Sequence, residues 1–150
     1  MHINKLEILL IEDSEDDVFF VEKAVKDSQS VHSLHTVSNG LEAIKYLKGE
    51  PPFDDRKKYP RPNVILCDLK MPGMNGFDFL SWVQSRPDCK VIPIMVYSSS
   101  SLESDVWKAY ELGAHAYFVK PAHMKELLDF LQSAFEFWSR CECPTPPRPS

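Results

Sequence analysis

A chain of 150 residues, 43% hydrophobic and 26% charged, holds enough apolar material for one sizeable core, and a formal net charge of −5 argues against non-specific nucleic-acid binding. No apolar run reaches the roughly 18 residues a membrane helix needs, and the N-terminal stretch "MHINKLEILLIED" ends in acids rather than a cleavage site, so a cytoplasmic chain without membrane contact is expected. The four cysteines, Cys67, Cys89, Cys141 and Cys143, form no C-x-x-C pair; reduced thiols are expected, with Cys141-x-Cys143 the alternative metal or redox pair.

Residues 5–11 are a short, mostly apolar run and read as a first strand. Ser14 with Asp17 has capping-box spacing, and Val18, Val21 and Val25 predict a helix over 15–27. "SLHTVS" (33–38) is a second strand; Asn39 then caps a helix carrying Leu41, Ile44 and Leu47, which Gly49 ends. Residues 50–62, "EPPFDDRKKYPRP", form a polar, proline-rich loop, long for its place. A strand at 63–67 and a helix with Phe77, Leu80 and Val83 follow. "VIPIMVY" (91–97) is the fourth strand, and Ser100-x-x-Glu103 predicts a capping box on a helix with Leu102, Val106 and Ala109. "AHAYFV" (114–119) is the fifth strand, and Met124 to Trp138 give the most periodic helix. Five βα units with near-continuous apolar strands predict an α/β fold, a doubly wound parallel sheet covered on both faces. One domain is expected over 1–140, with a disordered proline-rich tail at 141–150.

Ligand sites in such sheets lie beyond the carboxyl ends of the strands. Glu12 and Asp13 follow the first strand, Asp68 the third, Ser98 and Ser99 the fourth, and Lys120 and Pro121 the fifth. Singly, each has a plain reading as a helix cap or solvated loop residue. Together they place three acids, hydroxyls and a lysine on one rim. Clustered carboxylates repel unless a hard divalent cation neutralises them, and Mg²⁺ accepts one or two carboxylates with phosphate oxygens. Acids, Mg²⁺ and a lysine around a space suit phosphoryl transfer, with Asp68 the central nucleophile candidate.

The segments "LLIEDSEDD", "VILCDLKMPGMNG", "IMVYSSS" and "AYFVKPA" resemble the receiver domain of two-component response regulators, the CheY-like fold, over residues 5 to about 138. The resemblance implies sheet order 2-1-3-4-5 with five helices. It implies that Asp68 accepts a phosphoryl group from a histidine kinase. Asp13 binds Mg²⁺ directly, Glu12 does so through water, and the carbonyl of Lys70 completes the protein's share of the metal shell. Lys120 pairs with phosphoryl oxygens, Ser98 is the switch hydroxyl, Tyr117 the aromatic switch that turns inward, and Pro121 the proline that usually follows a cis bond. Lys70, where a polar group such as Asn is common, and Ser98, where Thr is common, depart from the prevailing pattern.

The long 50–62 loop, "AYELGAHAYFVKP" and the final "FEFW" further resemble stand-alone receivers that partner bacterial phytochrome kinases. A single-domain regulator acting by protein contact is therefore expected, with no nucleic-acid partner and a downstream protein target. Trp107 and Tyr110 mark one interaction face, that of the fourth helix, fifth strand and fifth helix. Phe130 and Phe137 on the last helix fit either core packing or a homodimer interface. Two rival readings are a phosphorylation-independent docking module and a haloacid-dehalogenase-type phosphatase. The phosphatase needs a second acid two residues after Asp68, where this chain has Lys70.

Overall fold

The computed structural model describes residues 5–144. Ten elements alternate along them: β1 (Leu6–Ile11), α1 (Glu15–Lys26), β2 (Val31–Val37), α2 (Gly40–Lys48), β3 (Val64–Cys67), α3 (Gly76–Gln84), β4 (Ile94–Ser98), α4 (Glu103–Glu111), β5 (Ala116–Val119) and α5 (Met124–Ser139). The five strands form one parallel sheet in the order β2-β1-β3-β4-β5, so β1 lies between β2 and β3 and the strand order reverses there. None of the helices described is long and apolar enough to cross a membrane.

Strand alternation divides the core in two. Leu9, Ile11, Ile65, Cys67, Ile94 and Val96 face α2, α3 and α4, while Ile8, Leu10, Leu66, Met95 and Tyr97 face α1 and α5. Burial on both faces explains why β1, β3 and β4 read as near-continuous apolar runs.

Several boundaries differ from the sequence reading. β4 starts at Ile94, because Pro93 has no N–H to give a ladder and offers only its carbonyl, which accepts from Ile65 N at 2.9 Å. The residues before it turn, with Ile92 N bonded to Cys89 O. β2 begins two residues early, at Val31, and pairs with Leu6 across a register shift. Ser100 is not the N-cap of α4. Leu102 holds that position without a side-chain bond, and Ser100 Oγ instead donates to Asp105 Oδ2 at 2.5 Å and accepts from Leu102 N. Ser14 and Asn39 cap α1 and α2 as expected, and Gly49 (φ 70°) ends α2 in the left-handed region that favours glycine.

The long loop after α2 is packed rather than loose. Phe53 and Tyr59 bring their rings against Tyr46, at 5.1 and 6.0 Å between centroids, and Tyr59 also meets His35. Arg56 Nη2 donates to the Leu47 carbonyl at the end of α2. The last residues of the expected tail, 145–150, lie outside the described residues; Cys67 and Cys89 are buried, and Cys141 and Cys143 are half-buried.

Candidate functional site

The strand ladders extend one residue past the strands and fix the rim. Glu12 N donates to Val37 O at 3.0 Å, Asp68 N to Ile11 O at 3.0 Å, and Lys120 N to Ser98 O at 2.8 Å. Backbone pairing therefore locates Glu12, Asp68 and Lys120 before any side-chain contact is made. Carboxylate oxygens of Glu12, Asp13 and Asp68 lie within 4.8 Å of one another, with Glu12 and Asp68 buried and Asp13 exposed.

Lys120 reaches into this cluster. Its Nζ donates to Asp17 Oδ2 at 2.7 Å, Glu12 Oε2 at 3.0 Å and Asp68 Oδ2 at 3.3 Å, and lies 4.8 Å from the centre of the Tyr97 ring. The other oxygen of Asp68, Oδ1, accepts from Leu69 N at 2.7 Å. Burial, and then the charge of Asp68, push the Glu12 carboxyl up to about 7 despite the nearby lysine. Burial works against the charge on Lys120, but the hydrogen bond to Asp17 and the charges of Asp68 and Glu12 outweigh it and hold its pKa above the usual lysine range.

Lys120 bonds three carboxylates and Asp13 adds a fourth to the cluster, which leaves an excess of acidic groups, all of them hard oxygen donors. That donor set fits a divalent cation of the Mg²⁺, Ca²⁺ or Mn²⁺ kind.

Ser98 is buried, and its Oγ accepts from Ser100 N at 3.1 Å. Tyr117 is half-buried and donates its hydroxyl to Ser100 O at 2.8 Å. Lys70 is exposed at the mouth, its amide 3.5 Å from Asp68 Oδ1. The peptide bond before Pro121 is trans, the ordinary preference even for an X–Pro bond, and the cis bond among the described residues is Pro51–Pro52. The geometry thus gathers Glu12, Asp13, Asp68 and Lys120 into one group, with Ser98 and Tyr117 joined through Ser100 beside it.

Two contributors escape a reading by motif. Asp17 has the acid-at-helix-start signature of a cap, yet only its amide serves the cap, donating to Ser14 Oγ at 3.4 Å, and its carboxylate goes to Lys120. The available signal was its position in the first turn of α1, directly after the Glu12-Asp13 pair and the Ser14 cap. Tyr97 reads as one more apolar strand residue; its alternation with Ser98 puts it on the opposite face, beneath the lysine.

The parallel sheet reverses its order at β1, and acids from β1 and β3 and a lysine after β5 meet at that reversal, the place where open α/β sheets bind their ligands. The chain belongs to the response regulator receiver domain family, whose model matches residues 8–132. It is 36% identical over 131 residues to response regulator Rcp1 of Synechocystis sp., covering 87% of each chain. It is 30% identical to the two-component response regulator ARR17 of Arabidopsis thaliana, covering 82% of this chain and 80% of that protein. Among solved structures it resembles the phosphorylated cyanobacterial phytochrome response regulator RcpA (TM-score 0.85, 32% identity, 97% of this chain and 100% of that one). The Mn²⁺-bound form of Rcp1 is similar too (TM-score 0.83, 34% identity, 92% and 98%). The sheet order and the two-step resemblance read from the sequence are both borne out, and the phosphatase reading gives way to the family match.

Proposed function

We propose that Asp68 is the phosphoacceptor of this receiver and that the donor is the phosphohistidine of a sensor kinase. The observation that carries the proposal is the placement of Asp68: rigidly seated at the end of β3, one oxygen held by the Leu69 amide and the other facing Lys120 within the acid cluster. A carboxylate oxygen of Asp68 attacks phosphorus, the P–N bond to the kinase imidazole breaks, and the ring nitrogen keeps the electron pair and takes a proton from solvent. Carboxylates need no general base for this.

Asp13 and Asp68, the carbonyl of Lys70 and, through water, Glu12 would hold Mg²⁺. Bound there, the cation would neutralise charge on the transferred oxygens. Lys120 supplies a second, fixed positive charge to the same oxygens. The new acyl phosphate brings oxygens that Ser98 can reach by giving up its present bond to Ser100 N. Tyr117 is tied to the same Ser100 through its carbonyl, so a move by Ser98 reaches Tyr117 through one residue.

The likeness to structures described as cyanobacterial phytochrome and bacteriophytochrome response regulators supports a bacteriophytochrome as that kinase. Trp107 (72% exposed) and Tyr110 (49%) on α4 supply apolar area for a downstream protein target.

The test is phosphorylation by acetyl phosphate with Mg²⁺, read as a mass gain of one phosphoryl group. Wild type should gain it and Asp68→Asn should not. No gain in wild type, or an equal gain in Asp68→Asn, refutes the assignment.

A further inference from the structure

A lysine ammonium has three N–H donors, and each of those of Lys120 is taken by a different carboxylate. Two of these acids, Glu12 and Asp68, also belong to the cluster suited to a cation; Asp17 does not. The shortest of the three bonds, 2.7 Å, therefore goes to the acid with no share in the metal cluster. The pair is largely shielded, with side-chain exposures of 13% for Lys120 and 24% for Asp17, so water and salt weaken it only in part. The buried ring of Tyr97 forms the floor of this seat and adds its own attraction for the ammonium.

We propose that Asp17 is a positioning residue that acts through Lys120: it holds the lysine on the α1 side of the pocket and restrains the phosphorylation of Asp68. The proposal rests on the reading of Asp68 as acceptor. Because all three donors are in use, a phosphoryl oxygen can gain one only by displacing a carboxylate. Glu12 and Asp68 would share their charge with a cation, whereas the carboxylate of Asp17 faces Lys120 alone. Asp17 is thus the standing competitor for the lysine, and removing its charge releases Lys120 toward the incoming group.

The experiment uses the full chain with Mg²⁺ and acetyl phosphate. Asp17→Asn should raise the initial rate of phosphoryl incorporation about three- to tenfold, the range for losing one partly shielded charged hydrogen bond. Asp17→Ser, which keeps a residue suited to a helix start, should change the rate in the same direction. Asp17→Glu should return the wild-type rate. Asp16→Asn removes the same charge from the same exposed helix turn and should stay within about twofold of wild type. In a Lys120→Met background, Asp17→Asn should have no effect. In metal-free protein, Lys120 should react faster with N-hydroxysuccinimidyl acetate in Asp17→Asn than in wild type or Asp16→Asn, as mapped by peptide mass spectrometry.

An Asp17→Asn rate equal to that of Asp16→Asn, or below wild type, overturns the role of Asp17, as does a gain that survives Lys120→Met. A wild type that takes no label overturns the acceptor reading and this one with it. A labelled wild type with an unchanged Asp17→Asn overturns the role of Asp17 alone.

Discussion

Gly76→Ala is expected to impair phosphorylation by pushing on the backbone that carries Asp68. Gly76 is the buried first residue of α3, and its N–H donates to Leu69 O at 3.0 Å. A Cβ there would sit 2.3 Å from the Asp68 carbonyl oxygen and 2.8 Å from Leu69 Cα. Both obstacles are backbone, so no rotamer change relieves them. Restoring even a tight contact needs a movement of about 0.7 Å in the Asp68–Leu69 peptide. Overpacking of this kind costs about 1–3 kcal/mol, or a fall of several degrees in Tm for a domain of this size. A displacement approaching 1 Å at a reacting group costs up to about 10²-fold in rate, so labelling by acetyl phosphate should slow by about 10- to 100-fold. Thermal melts by circular dichroism and phosphate-affinity gels measure the two effects. Gly73→Ala is the control: Gly73 has φ 75° and nothing within 4 Å of its added Cβ, so it should cost about 1–2 kcal/mol of backbone strain yet leave labelling near wild type. Wild-type labelling in Gly76→Ala, or equal damage from Gly73→Ala, would refute the steric reasoning.

Two further expectations follow from the same contacts. Glu12 is raised from an ordinary 4.5 to about 7 when metal-free, so its folded form holds a proton that the unfolded chain has lost between those values; its contribution favours the fold below about 4.5 and is lost as pH rises through 7. Cation binding must expel that proton, so Mg²⁺ affinity by calorimetry should weaken about tenfold from pH 8 to pH 6; a flat profile would contradict the buried, metal-facing role of Glu12. On α5, Phe130 stacks on Phe118 with centroids 3.4 Å apart while Phe137 is 60% exposed, so Phe130→Glu should cost about 3 kcal/mol or more and Phe137→Glu less than about 0.5 kcal/mol. Phe137→Glu is therefore the clean probe of self-association along α5 by sedimentation, and equal melts for the two variants would show that the stack contributes nothing.

The sheet was legible because doubly buried strands must be largely apolar and helices must alternate with them. Glu12, Asp13, Asp68 and Lys120 were legible because they fall at one end of those strands. What escaped did so for physical reasons. An acid at a helix start satisfies the same local preference whether or not its carboxylate is used elsewhere, so Asp17 looked like a cap. A polar, proline-rich composition concealed that Phe53, Arg56 and Tyr59 anchor their loop to Tyr46. Ser100 had the spacing of a cap, but Asp105 offered its hydroxyl a charged acceptor. Pro93 displaced the start of β4 by withholding a single N–H.

The acids at the rim hang from β1 and β3, which are hydrogen-bonded neighbours, and adjacent strands lie about 4.8 Å apart wherever such pairing occurs. The sheet therefore acts as a fixed gauge, setting the span between the backbone positions from which the acids of the two strands project. Exchanging one acid for another alters the reach and chemistry offered to an ion while the anchor points stay where the backbone put them. Selectivity here can be re-engineered one side chain at a time, without redesigning the scaffold.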